Sequence, residues 1–104
     1  MDQYTIQITG PAEKDLREIG RYISRELLKP ETSKKVVSTI AKAINSLEEM
    51  PLRNALVADE SLAYKGIRKI MVDNYIVFFN VSGENNTVTV VRILYGRRNW
   101  ISLL

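Results

Sequence analysis

Residues 65–100 read KGIRKIMVDNYIVFFNVSGENNTVTVVRILYGRRNW, and this stretch decides the fold. It parses into three antiparallel strands, Ile67–Val72, Tyr75–Ser82 and Thr87–Tyr95, rich in the Val, Ile, Phe and Tyr side chains that suit a pleated, half-buried surface. Asp73-Asn74 is a two-residue loop of side chains that tolerate left-handed dihedrals, and Gly83-Glu84-Asn85-Asn86 is a longer Gly/Asn turn. Against this apolar background Arg68, Lys69, Arg92, Arg97 and Arg98 stand out as fixed positive charge.

Working outward towards the N-terminus, Tyr4-Thr5-Ile6-Gln7-Ile8-Thr9 alternates strictly and predicts a short strand. Gly10-Pro11 closes it, and Pro11 suits the first turn of a helix, where its missing N–H is not needed. That helix is expected to run to about Leu28, with Leu16, Ile19, Ile23 and Leu27 as its apolar stripe and Lys29-Pro30 as its stop. Thr32 or Ser33 can cap a second helix, running to about Glu49, whose stripe is Val36, Val37, Ile40, Ile44 and Leu47. Met50-Pro51 opens a connector to Tyr64, expected to lie as a loop over the domain with a turn of helix or a short strand.

With 104 residues the chain makes one domain, residues 1–104. The first strand can pair only with an edge of the meander. The expected fold is therefore α+β: a four-stranded, mostly antiparallel sheet with an N-terminal helical hairpin packed on one face and the other face open. On the middle strand Tyr75, Val77, Phe79 and Val81 should meet the helices, and Ile76, Phe78, Asn80 and Ser82 should face the open side. The facing of the outer strands depends on a register that the sequence leaves free.

The chain has no cysteine and no histidine, which removes disulfides, thiolate chemistry, the commonest general base and the commonest zinc ligand. Any catalysis would rest on Lys, Arg, Tyr, Asp or Glu, and the pattern calls for no cofactor and no metal. No apolar run approaches a membrane span and the N-terminus lacks a signal peptide's pattern, so a cytoplasmic protein is expected.

The net charge of +3 hides an asymmetry. Residues 1–60 hold nine Lys/Arg against ten Asp/Glu, and residues 61–104 hold six against two. A basic sheet half fits an anionic partner, either nucleic acid or an acidic protein segment; the plainer alternative is a solvated rim. Arg guanidinium grips phosphate at two points, and an aromatic such as Tyr95, Trp100 or Phe78 can stack on a base. Arg92 could equally be a sheet arginine paired with a carboxylate, and Trp100 could close the edge of a core.

The stretch quoted above, together with ITGPAEKDLREIGRYISREL, INSLEEMPLR and the ILYGRRNW close, resembles the RelE/ParE toxins of bacterial type II toxin–antitoxin pairs over nearly the whole chain. The resemblance implies a sheet with a helical hairpin on one face and neutralisation by an antitoxin that wraps a segment around the toxin, giving a toxin–antitoxin hetero-oligomer. In RelE-like members it implies ribosome-dependent mRNA cleavage, with the ribosome and mRNA as partners. Arg98 stands where those toxins place a catalytic arginine, and Arg68 or Lys69 falls near their basic residues on the first meander strand. Tyr95 would then position or exchange a proton, and Lys69, Arg92, Arg97 and Trp100 would hold the nucleic acid. Ile76 occupies a place where RelE-like toxins carry another arginine, and their C-terminal tyrosine has no counterpart. The GRRNW ending is close to ParE-type members, which poison DNA gyrase. That is the alternative reading, beside an inactive member that only binds its antitoxin.

Overall fold

The computed structural model describes residues 3–97 and 100–104. Strand β1 (Thr5–Ile8) leads into helix α1 (Gly10–Arg21), a π-helical turn (Tyr22–Glu26) and helix α2 (Pro30–Ser46). A 3₁₀ turn (Pro51–Arg53) and the short helix α3 (Glu60–Tyr64) occupy the connector, followed by β2 (Ile67–Val72), β3 (Tyr75–Ser82), β4 (Thr87–Tyr95) and a last 3₁₀ turn (Ile101–Leu103).

The strands form one sheet in the order β1-β4-β3-β2, with β1 parallel to β4 and the other pairs antiparallel. Both tight turns use the left-handed region, at Asp73 (φ 53°) and Asn86 (φ 47°), as their Asp/Asn residues allow. Leu56 makes a single antiparallel bridge to Arg68, so the connector supplies both a helical turn and a short extended piece.

Helix α1 starts where the sequence placed it: the Thr9 side chain accepts a hydrogen bond from the Ala12 N–H at 3.2 Å, and proline follows in the first turn. Its α-helical course stops at Arg21, earlier than the stripe implied, and continues as the π turn until Leu28 adopts φ 54°. The expected cap of the second helix is not used. Pro30 opens α2, and the Ser33 hydroxyl instead donates to the Gly20 carbonyl at 2.6 Å, buried between the two helices. Gly20 suits their closeness, since a Cβ there would lie 3.1 Å from Val37 Cγ2, a tight contact.

The helices cover one face of the sheet. Ala12, Ile40, Ile44 and Leu47 pack there against Val77, Phe79, Val88 and Ile93, as the alternation of β3 predicts. Alternation along β4 is broken by a bulge opposite Phe78/Phe79: Phe78 pairs with Arg92 but Phe79 with Val90. Val88 and Val90 therefore share the helix face with Ile93, whereas Leu94 turns to the opposite face. A strict period of two would have kept Val90 and Leu94 together.

The second face is not open. Ile76, Phe78 and Leu94 form a second buried cluster with Val57 and Leu62 of the connector, and Trp100, Leu103 and Leu104 of the C-terminal tail pack over it. The physical reason is visible in the residues: Ile76, Phe78 and Leu94 present too much apolar surface to leave wet, and the segments on either side of the meander supply apolar groups to cover it.

Candidate functional site

The structure distributes the candidate site residues over both faces. In register, Lys69, Phe78 and Arg92 form one row across the second face, and Trp100 packs against Phe78 in a tilted arrangement with ring centroids 5.0 Å apart. Arg68 pairs with Phe79 and Tyr95 with Tyr75, so both belong to the helix-side face, at opposite ends. Arg97 is exposed just beyond Gly96. Arg98 lies outside the described residues.

Two of the guanidinium groups are already occupied. Arg68 donates through Nη1 to the carbonyls of Asn54 at 2.6 Å and Leu52 at 3.4 Å, tying β2 to the connector. Arg92 makes a two-point bond to Asp15 of α1: Nε to Oδ2 at 2.7 Å and Nη2 to Oδ1 at 2.8 Å. Its Nη1 donates to the Leu103 carbonyl at 3.2 Å. Asp15 Oδ2 also accepts the Ile93 N–H at 2.9 Å. The Asp15 carboxylate is the main reason the Arg92 guanidinium is held even more firmly in its charged form than a free arginine.

This arrangement follows from strand lengths. β1 ends at Ile8, opposite Val90, and Thr9 adds two last contacts, its N–H to the Val90 carbonyl and its hydroxyl to the Val91 carbonyl. Beyond that point the β1 edge of β4 has no strand beside it among the described residues, and Asp15 takes over the exposed backbone donor. Sequence reasoning missed Asp15. The available signal was its position between Ala12, Leu16 and Ile19, a carboxylate on the apolar side of a helix that has to find a partner.

Where β4 runs on past β1, a groove of about 1120 Å³ opens between the end of the helical hairpin and the β2–β3 turn. Ile19, Ile23 and Leu27 line it from the hairpin, and Tyr75, Tyr95 and Asp73 from the sheet. Tyr22, Leu27 and Leu28 are exposed large apolar groups around the hairpin tip. Tyr75 and Tyr95 meet edge to face, 5.8 Å between centroids. Among the described residues no cluster of His, Cys, Asp and Glu could hold a metal ion, and no helix is long and apolar enough to cross a membrane.

The family model described as "ParE toxin of type II toxin-antitoxin system, parDE" matches residues 6–100. The chain belongs to the ParE toxin family. No curated protein matches it by sequence. The ParE fold recurs among solved structures. A chromosomal ParDE system from P. aeruginosa contains a chain with 22% identity, TM-score 0.74, covering 91% of this chain and 98% of that one. A mutant of the E. coli toxin RelE in the free state has 17% identity and TM-score 0.67, with 97% and 92% covered. The RelBE2 toxin–antitoxin complex from Mycobacterium tuberculosis gives 21% identity and TM-score 0.62, with 89% and 98% covered. At these identities the shared property is the fold. This ParE-family chain is thus a toxin-type domain whose sheet is buried on both faces and which carries a groove at its helical hairpin.

Proposed function

We propose that this ParE-family toxin arrests growth by binding a protein target, with DNA gyrase the target expected of a ParE-type member, and that it does not cut RNA. The observation that carries this reading is the condition of the basic side chains. Arg68 and Arg92 spend guanidinium donors on the protein itself and belong to opposite faces of the sheet. Stabilising the extra negative charge of a phosphodiester under attack needs several donors converging within hydrogen-bond reach of one point. Freeing Arg92 for that task would strand the buried Asp15 carboxylate without its counter-charge. Ile76, buried under the tail, occupies a place where RelE-like toxins carry an arginine. A nuclease built on this chain would have to draw on Lys69, Arg97 and Arg98, with Tyr95 on the far side.

The partner that restrains the toxin is its antitoxin, as the ParDE and RelBE assemblies among the structural neighbours suggest. Its segment is expected in the groove beside the hairpin, where exposed apolar groups surround a concave surface.

Two assays on the purified toxin decide the mechanism. In a DNA gyrase reaction the toxin should block supercoiling, and in a translated-message toeprinting reaction at the same dose the mRNA should stay whole. Cut message with gyrase unaffected overturns the proposal in favour of an mRNA endoribonuclease. If neither target responds and cells expressing the toxin alone grow normally, the chain is a member that only binds its antitoxin.

A further inference from the structure

The groove is apolar along its floor, but its rim has a different character. Glu18 and Asp73 line it with exposed carboxylates, and Lys29 is the single cationic side chain in its lining among the described residues. The third carboxylate there, Asp15, is neutralised by Arg92. The chain as a whole carries a net charge of +3, so this rim is a local negative site on a positive molecule. Three tyrosines stand in the same place: Tyr22 on the hairpin, exposed, and Tyr75 and Tyr95 at the ends of β3 and β4, ring edge to ring face.

We propose that this rim is a receptor for one basic side chain, an arginine or less tightly a lysine, carried on the apolar segment of the antitoxin that seats in the groove. The inference rests on the reading of the chain as an antitoxin-restrained toxin and adds the chemistry of the contact. The aromatic ring faces attract a cation through their quadrupoles, and a planar guanidinium stacks on such a face while its forked donors remain free for carboxylates. Glu18 is available for this role, since its ion pair with Lys14 spans 3.9 Å between exposed groups and holds it weakly. Burial, followed by the neighbouring Tyr95 and Tyr22, pushes the Tyr75 hydroxyl above its usual range, so its ring stays a neutral phenol at physiological pH. An acidic antitoxin segment, the complement suggested by the overall charge, would meet repulsion at this point, and its acidic residues belong elsewhere on the basic surface.

The test is a calorimetric titration of the full-length toxin with its cognate antitoxin. The paired substitution Glu18→Gln with Asp73→Asn should weaken binding about ten-fold, the loss of charged hydrogen-bond acceptors at a partly desolvated contact. Both sites are exposed, and asparagine suits the left-handed backbone at residue 73, so the fold is kept. Tyr22→Leu should weaken binding about three-fold while Tyr22→Phe restores it, because phenylalanine keeps the ring face. A scan replacing each arginine and lysine of the antitoxin by glutamine should find one position with the same ten-fold loss, and combining it with the toxin's paired substitution should add little more. The inference is overturned if the paired substitution binds as wild type while Leu27→Asp, which puts a charge on the groove's apolar wall, abolishes binding. In that case the antitoxin reading stands without it. If the wild-type toxin does not bind the antitoxin at all, both fall together.

Discussion

Phe78 and Phe79 stand side by side in β3, each 0% exposed, under covers of different construction. Phe79 faces two regular helices whose stripes are spaced for the purpose. Phe78 faces a connector and the C-terminal tail, with Trp100 as the lid. One face is roofed by two long helices, the other by the one-turn helix α3 and short 3₁₀ and extended pieces that make few hydrogen bonds of their own. The same burial is therefore reached by covers of unequal rigidity.

The largest expected effect tests that inequality. Phe79→Ala should cost about 4 kcal/mol, because the helices above it cannot close a cavity of that size. Phe78→Ala should cost nearer 3 kcal/mol, since the tail can settle into the space left behind. Urea unfolding of the two variants measures the difference, and equal losses would mean the tail packs as firmly as the helices.

Next comes the joint between the two faces. Asp15→Ala strands the Arg92 guanidinium and the Ile93 N–H, and about 3 kcal/mol is expected, at the low end for a buried pair because Arg92 is still 22% exposed to water. The double variant Asp15→Ala with Arg92→Met should regain part of that loss, and no recovery would show that the backbone contact at Ile93 dominates. Smaller again, Trp100→Ala should cost about 1–2 kcal/mol through the lost ring pair and apolar contact. Its signature would be faster amide exchange at Leu94 than at Val77, and uniform acceleration would break the distinction between the faces.

The smallest effect is one of pH. Burial, then the charges of Tyr95 and Tyr22, raise the Tyr75 hydroxyl above its ordinary 10.0. Above that pH the unfolded chain has released a proton that the folded chain still holds, so stability falls as pH rises towards the folded value. A Tyr75→Phe variant followed by thermal melting should show a flatter alkaline decline.

The sequence carried the meander, both turns, the helical hairpin and the facing of β3 because each rests on a local rule: a period of two, a period near four, or a residue that tolerates positive φ. The covered second face was hidden because Val57, Leu62 and Trp100 sit in stretches without a period, where apolar residues name no partner. The division of β4 was hidden by one bulged residue, which shifts Arg92, Ile93 and Leu94 out of phase with Val88 and Val90. The basic residues were legible as charge but not as geometry. Arg92 meets a carboxylate 77 positions away, and Arg68 meets carbonyls of a connector that reads as loop. Glu18, Tyr22 and Tyr75 look like an ordinary wet helix face and strand end until the short first strand leaves a groove between them.

The parallel seat of β1 has a temporal meaning. Thr9 reaches across 82 positions to Val91, and among the described residues β4 is the one strand beside β1. During synthesis the hairpin helices can form and the first strand must wait, unpaired, until β4 has left the ribosome. A truncated product lacks the seat altogether and leaves its opening segment loose. The sheet closes only once β4 is made, so β1 and β4 form a single late joint between the two ends of the domain.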